Sequence, residues 1–212
     1  MNGVLPLCPF PPLHWWYVAN GDDAKISLAS PFEKQTLRNR IIISGPHGRQ
    51  VITFSIQHLD DDCSESILLS NHIPSIQSWR SVQTAYGNSP FYLHFEPELK
   101  KLWHEGLPRL ITDRKSLGNW CIQTINWSAE QIGWTVPEAT NDRIPFEGAP
   151  FDLRVKSKLR GEDWTHQRYA QPFEPKNGFI PGCSILDALF ILGPQELKLR
   201  LNELVQPPQN LM

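Results

Sequence analysis

Nineteen prolines punctuate this chain of 212 residues, and eight tryptophans stand among them. Proline fixes its own φ and lacks an N–H, so it ends helices and stays out of central strands. A chain so interrupted is confined to short elements joined by irregular segments. Tryptophan gives those segments large, rigid surfaces to pack against. The combination predicts a loop-rich α/β or α+β domain pinned by aromatic side chains. The tryptophans read mostly as core; the other reading is a stacking surface for sugar rings or bases.

The length suits one domain with a real core and is tight for two, so residues 1–212 read as a single domain. The formal net charge is −2 and no basic stripe is visible, which argues against a duplex nucleic-acid partner. A small anionic ligand remains compatible, because it needs only a few local cations. No apolar run is long enough for a spanning helix. Met1 to Tyr17 carries no Lys or Arg and is broken by Pro6, Pro9, Pro11 and Pro12, so a signal peptide is not expected. Cys8, Cys63, Cys121 and Cys183 form no C-x-x-C pair, and Cys121 and Cys183 sit in apolar stretches as buried thiols would. A reduced, cytoplasmic setting fits this usage.

Val4 to Cys8 is an apolar run closed by Pro9 and reads as a buried strand. Pro12 suits the first turn of a helix that runs to Ala19 and stops at Asn20-Gly21. Lys25 to Ala29 reads as a second strand. Arg40-Ile41-Ile42-Ile43, the turn Gly45-Pro46-His47-Gly48 and the alternating run Gln50 to Gln57 read as a hairpin, with Ile52, Phe54 and Ile56 on one face. The acidic stretch Asp60 to Glu65 reads as a solvated loop, since it lacks the spacing and turn glycine of a calcium site.

Helical spacing follows over Pro74 to Tyr86 (Ile76, Trp79, Val82, Tyr86), over Pro97 to Trp103, and most clearly over Leu117 to Ile132 before Gly133. Trp134-Thr135-Val136 reads as a brief strand. Residues 137–182 are rich in Pro, Gly and charge, with short strands expected near Phe151 to Val155 and Tyr169 to Phe173. Such a stretch is long for a plain connection and is a candidate functional loop. Ser184-Ile185-Leu186-Asp187 has the form of a capping box, with Asp187 where Glu is usual. That helix runs to Gly193, and Pro194 starts a last one carrying Leu197, Leu201, Leu204 and Val205, ended by Pro207-Pro208. The fold class is read as α/β with a mixed sheet flanked by helices; α+β is the alternative, because the hairpin is antiparallel.

Several polar groups are candidates for chemistry. Arg38, Asn39 and Arg40 alternate on what reads as an extended chain, placing both guanidiniums on one face, and arginine matches phosphate or carboxylate bidentately. The alternative is a solvated entry to the hairpin. His14 lies where a strand passes into a helix, a position that attracts anions and suits an acid/base; it is also an ordinary structural position. Arg80 and Tyr86 share one helix, with a snorkelling surface arginine as the plain reading of Arg80. Asp152 and Arg154 fall on the same side of an extended segment and form either a site or an internal ion pair. No Walker loop, G-x-G-x-x-G, G-x-S-x-G or paired-histidine zinc motif occurs, and no metal site is expected.

Four blocks carry a resemblance over nearly the whole chain. They are Glu33-Lys34-Gln35-Thr36-Leu37-Arg38-Asn39-Arg40 with its Ile-rich strand and Gly48; Trp79 to Tyr86 followed by Ser89-Pro90-Phe91-Tyr92; Asp152-Leu153-Arg154; and Tyr169-Ala170-Gln171-Pro172-Phe173 with Gly178-Phe179-Ile180-Pro181, Ser184 to Phe190 and Gly193-Pro194. Together they resemble the WbqC-like family, in the form found in Bacteroidetes. The resemblance implies a bacterial protein of surface-polysaccharide biosynthesis, of the O-antigen or lipopolysaccharide type, with a transferase role passing glycine or another acyl group to an amino sugar. The chain departs from the family pattern at Ser78, where a His is common, at Gly182-Cys183 for Asn-Leu, and at Ile191 for Asn. The opening strand, proline turn and helix are also similar to the start of domains that grip ATP at a histidine-bearing helix.

The leading expectation is therefore a transferase acting on a small-molecule sugar or nucleotide sugar. His14 and Asp152 would serve as catalytic groups. Arg38, Asn39, Arg40, Arg80, Tyr86, Arg154 and Gln171 would bind substrate. No cofactor is specified by motif, and a version that activates a carboxylate would use ATP. The alternative is a non-catalytic ligand-binding or scaffold protein of a glycan-assembly pathway, which the departures at Ser78, Gly182 and Ile191 favour.

Overall fold

The computed structural model describes residues 2–57, 66–70, 75–141 and 151–209; the acidic stretch Asp60 to Glu65, with Cys63, lies outside the described residues, as does Pro74. The chain opens with strand β1 (Asn2–Pro6), passes Pro12 in extended conformation and enters helix α1 (Leu13–Ala19), which Asn20 closes by donating to the Trp16 carbonyl. Strand β2 (Asp23–Ser27) then pairs parallel with β1. Parallel neighbours need a crossover, and α1 supplies it. Its Trp15 and Trp16 are buried, and Trp15 Nε1 donates to the Pro6 carbonyl at the end of β1 (3.0 Å).

A single 3-10 turn (Leu37–Asn39) precedes the hairpin of β3 (Arg40–Gly45) and β4 (Gly48–Thr53), whose register sets Ile42 opposite Val51. Helix α2 (Ser75–Tyr86) is followed by α3 (Tyr92–Lys101), which runs through Pro97 into a wide π-type turn (Leu102–Gly106) and on into α4 (Leu107–Thr112). Helix α5 (Leu117–Ile132) is opened by Ser116, whose hydroxyl accepts from the Asn119 N–H. It is closed by Gly133 in left-handed conformation.

Three short elements follow: β5 (Glu138–Thr140), β6 (Phe151–Asp152) and α6 (Lys156–Arg160). Then come β7 (Thr165–His166), α7 (Glu174–Asn177), α8 (Ile185–Leu204) and β8 (Val205–Gln206). Gly193 kinks α8 with a φ of 75° just before Pro194, and an added Cβ there would lie 2.5 Å from Phe91.

The main sheet has the order β5-β2-β1-β6, and every pairing in it is parallel. The antiparallel pairs β3-β4 and β7-β8 stand apart from it. The α/β reading holds, with strand directions segregated between sheets. The apolar run at the N-terminus belongs to β1, which is flanked on both sides and so buries Val4 and Leu5.

Aromatic rings fill the centre. Phe10 stacks on Trp103 (centroids 5.1 Å apart), and Trp120 and Trp127 meet Phe10 edge-on. Trp15, Trp16, Trp79, Trp103, Trp120, Trp127 and Trp164 are buried, and Trp134 packs partly buried against them, so the core reading of the tryptophans is the one realised. Cys8, Cys121 and Cys183 are buried free thiols, and burial pushes each thiol pKa upward.

Several local expectations change. Pro97, read as a helix start, lies inside α3, and the strand at Phe151 ends at Asp152, ahead of α6. Trp134-Thr135-Val136 is irregular, because the Trp134 N–H turns back to the Ala129 carbonyl to finish α5; the strand forms later, at β5. Tyr169 to Phe173 pairs with no strand among the described residues; the Gln171 side chain instead bonds the Ile180 N–H and carbonyl. Ile76 lies 58 % exposed, in the first turn of α2, ahead of the buried Trp79-Val82-Tyr86 stripe. Val205 is buried in β8, beyond the end of α8.

Candidate functional site

The hairpin register decides which side chains face outward together. Alternation along β3 and β4 puts Arg40, Ile42, Arg49 and Val51 on one face, and that face lines a cavity of about 770 Å³. Gln35, Thr36 and Leu37 form its rim next to the hairpin. Arg160, Gly161, Glu162, Trp164 and His166 wall the opposite side, and Phe179, Pro181 and Gly182 complete it. Three guanidiniums, those of Arg40, Arg49 and Arg160, thus meet two aromatic surfaces. Arg160 is held in place by donating to the Gln35 carbonyl (2.8 Å) and to Glu162 (3.3 Å). The Nε of Arg40 is buried with no hydrogen-bond partner among the described residues.

His166 reaches this cavity because β7 pairs with β8 at the far end of the chain, His166 opposite Val205. Its pKa is lowered by burial, against which a hydrogen bond to the Gly161 backbone works. His14 lies beneath the same wall. An added Cβ at Gly161 would come within 2.7 Å of the His14 ring, so only glycine, here with a φ of 69°, leaves room for it.

The structure separates the two arginines that the sequence puts on one face. The 3-10 turn interrupts the extended alternation, so Arg40 faces the larger cavity and Arg38 faces a second cleft of about 510 Å³. Arg154, Lys156, Ser157 and Glu33 also line that cleft, with Arg160 and Glu162 shared between the two. Asn39 turns inward, and its side chain donates to the Phe54 carbonyl (3.0 Å), a structural bond. Asp152 and Arg154 form the internal ion pair: Arg154 Nε and an Nη meet the two carboxylate oxygens at 2.9 and 2.7 Å, and both residues are buried. Arg38 donates to the Arg154 carbonyl (3.0 Å), and burial is the main influence lowering its pKa.

His14 is not at a solvent-facing helix end. It is fully buried, its Nε2 sits 2.8 Å from the Leu159 carbonyl, which requires Nε2 to carry the proton, and α1 is a short helix. Burial pulls its pKa down to about 3, so the ring is neutral at physiological pH. Its place in the molecule is that of a strut under α6.

Tyr86 and Gln171 meet each other, away from both clefts, around Asp187. The Tyr86 hydroxyl donates to one Asp187 oxygen (2.6 Å). The Tyr169 hydroxyl and Gln171 Nε2 donate to the other (2.7 and 2.8 Å). Tyr86 in turn accepts from the Ser44 N–H (3.0 Å). Ser184 caps α8 as expected, its hydroxyl accepting from the Leu186 N–H. Asp187 does not return the bond to the Ser184 N–H, which donates instead to the Ile42 carbonyl. Burial raises the Asp187 pKa while its donors hold it partly back. Arg80 is exposed on α2 and lines neither cleft.

Arg49, Arg160, Trp164, His166 and Lys156 were not among the sequence candidates. Arg49 had a readable signal, being in register with the outward face that starts at Arg40. Arg160 and His166 had none, since two-residue strands and a five-residue helix place them. Among the described residues no group of three or more His, Cys, Asp or Glu is placed to hold a metal ion, and no helix is long and apolar enough to cross a membrane.

A model of the WbqC-like protein family matches residues 10–158. The matched stretch takes in Arg38, Arg40, Arg49, Arg154 and Lys156 and stops short of Arg160. No curated protein and no solved structure matches the chain.

Proposed function

The chain belongs to the WbqC-like protein family, and from that premise we propose a transferase of bacterial surface-polysaccharide biosynthesis that holds a phosphorylated or nucleotide-linked sugar in the larger cavity. The observation that carries this reading is the meeting of Arg40, Arg49 and Arg160 with Trp164 and Phe179 around one space. Guanidinium forks suit phosphate oxygens, and aromatic faces suit a sugar ring or base. The volume falls in the range of small-ligand sites. The transferred group in this reading is an acyl group such as glycyl, passed to a sugar amine, with ATP as the activator of its carboxylate. Asp152, clamped on Arg154, positions that arginine. His14 supports the wall from below.

The test is a thermal-shift screen of the purified protein against ATP and a panel of nucleotide sugars. A ligand that binds the native state raises the melting temperature by mass action. The expected result is a shift with a nucleotide sugar that disappears in Arg40→Ala and Arg49→Ala while both variants keep the wild-type melting temperature without ligand. No shift with any member of the panel would remove the reading. A second reading, a ligand-binding protein without turnover, is favoured by Gly182, which stands on the cavity wall at the position where the family pattern has Asn. Nucleotide-sugar binding with no product from any amino-sugar acceptor would select it.

A further inference from the structure

The larger cavity does not end at Arg160. The same side chain, with Glu162, also lines the second cleft, whose other walls include Arg38, Arg154, Lys156 and Ser157. Lys156 and Arg160 stand one turn apart on α6 and so share a face of that helix. The back of the cleft is rigid: Asp152 grips Arg154 through two side-chain bonds, and Arg154 offers its carbonyl to Arg38. Arg38 and Arg154 are only 2 % and 4 % exposed, so neither has much side-chain freedom left to lose on meeting a ligand. Among the described residues, then, Arg38, Arg154, Lys156 and Arg160 line the cleft together with Glu33 and Glu162, with Asp152 behind Arg154.

We propose that this smaller cleft is a second oxyanion subsite, taking the phosphoryl or carboxylate group of a second reactant while the first occupies the larger cavity, with Arg160 in contact with both. A transfer between two bound molecules needs adjoining subsites, and one shared arginine at the junction brings the two anionic groups together without merging them. The division into donor and acceptor rests on the transferase reading above; the anion subsite itself does not.

Isothermal titration with inorganic pyrophosphate tests it, in the presence and absence of saturating UDP-N-acetylglucosamine. The expected result is that pyrophosphate still binds one equivalent when the nucleotide sugar is saturating. Lys156→Ala weakens that equivalent about tenfold or more, the loss of a charge-assisted contact, and leaves the nucleotide sugar within about twofold. Arg49→Ala does the reverse, and Arg160→Ala weakens both. Acetate binding at the same equivalent marks the subsite as one for carboxylates, and binding of pyrophosphate alone marks it as one for phosphoryl groups. Strict competition between pyrophosphate and the nucleotide sugar, or a silent Lys156→Ala, overturns the proposal. If the nucleotide sugar fails to bind, pyrophosphate alone still decides: loss of one of its two equivalents in Lys156→Ala keeps the subsite and removes the transferase reading, and no loss removes both.

Discussion

Two regions of this molecule gather polar side chains, one inside the core and one around an open cavity, and they do opposite things with them. Around Asp187 every carboxylate oxygen has a donor, and the Tyr86 hydroxyl both donates to Asp187 and accepts from Ser44. Around the larger cavity, Arg40 Nε is buried without a hydrogen-bond partner among the described residues, and guanidiniums converge from the hairpin and from α6. A buried polar group left unpaired costs free energy, so a closed network speaks for architecture and an open one for an absent partner. The two regions are linked mechanically. Asp187 and Gln171 hold the segment that bears Phe179, Pro181 and Gly182, one wall of the cavity.

The strongest way to break this comparison is Asp187→Ala. It strands the Tyr86 and Tyr169 hydroxyls, while the Gln171 amide keeps the Ile180 carbonyl, and should cost about 4 kcal/mol at roughly 1–3 kcal/mol for each buried group left unsatisfied. Urea denaturation reads this directly, and a loss below about 1 kcal/mol would mean the network is not architectural. A smaller effect should follow acidification. His14 has a pKa depressed by burial, so the unfolded chain binds its proton first. Its contribution is full above the unfolded value near 6.5 and is lost as the pH falls towards about 3. Between pH 7 and pH 5 this amounts to about 2 kcal/mol. Asp187 acts in the other sense: its raised carboxyl contributes below the unfolded value and loses that contribution as the pH rises through the folded one, so it trims the loss. His166, also lowered by burial, adds to the loss in the same sense as His14. Urea midpoints at the two pH values measure the sum, and the same fall in a His14→Gln variant would show that His14 does not carry it. The smallest effect on stability belongs to Arg49→Ala, exposed on the hairpin, which should stay within about 0.5 kcal/mol of wild type. A larger loss would move Arg49 from the open region to the closed one.

Where the sequence was legible, a local rule and the tertiary structure agree. The stripe from Leu117 to Ile132 and its glycine stop became α5, the Ile-rich run with its turn became the β3-β4 hairpin, and Pro12 began α1. The site was legible only in part, for three physical reasons. One 3-10 turn at Leu37–Asn39 sent Arg38 and Arg40 into different clefts, and alternation cannot foresee a turn of that length. The carboxylate of Asp187 fits a local capping rule, yet its partners are Tyr86, Tyr169 and Gln171, brought in by long-range packing. Arg160 and His166 are set by elements too short to leave a periodic trace.

The pairing of β7 with β8 also governs when the cavity can exist. His166 faces Val205, which follows the whole of α8, so a nascent chain that has not yet completed α8 and β8 lacks the strand that pins the His166 end of that wall. The hairpin and its arginines emerge from the ribosome long before the surface opposite them is in place. The two faces of the cavity are therefore completed at different times, the hairpin first and the His166 side only once the C-terminal strand has docked.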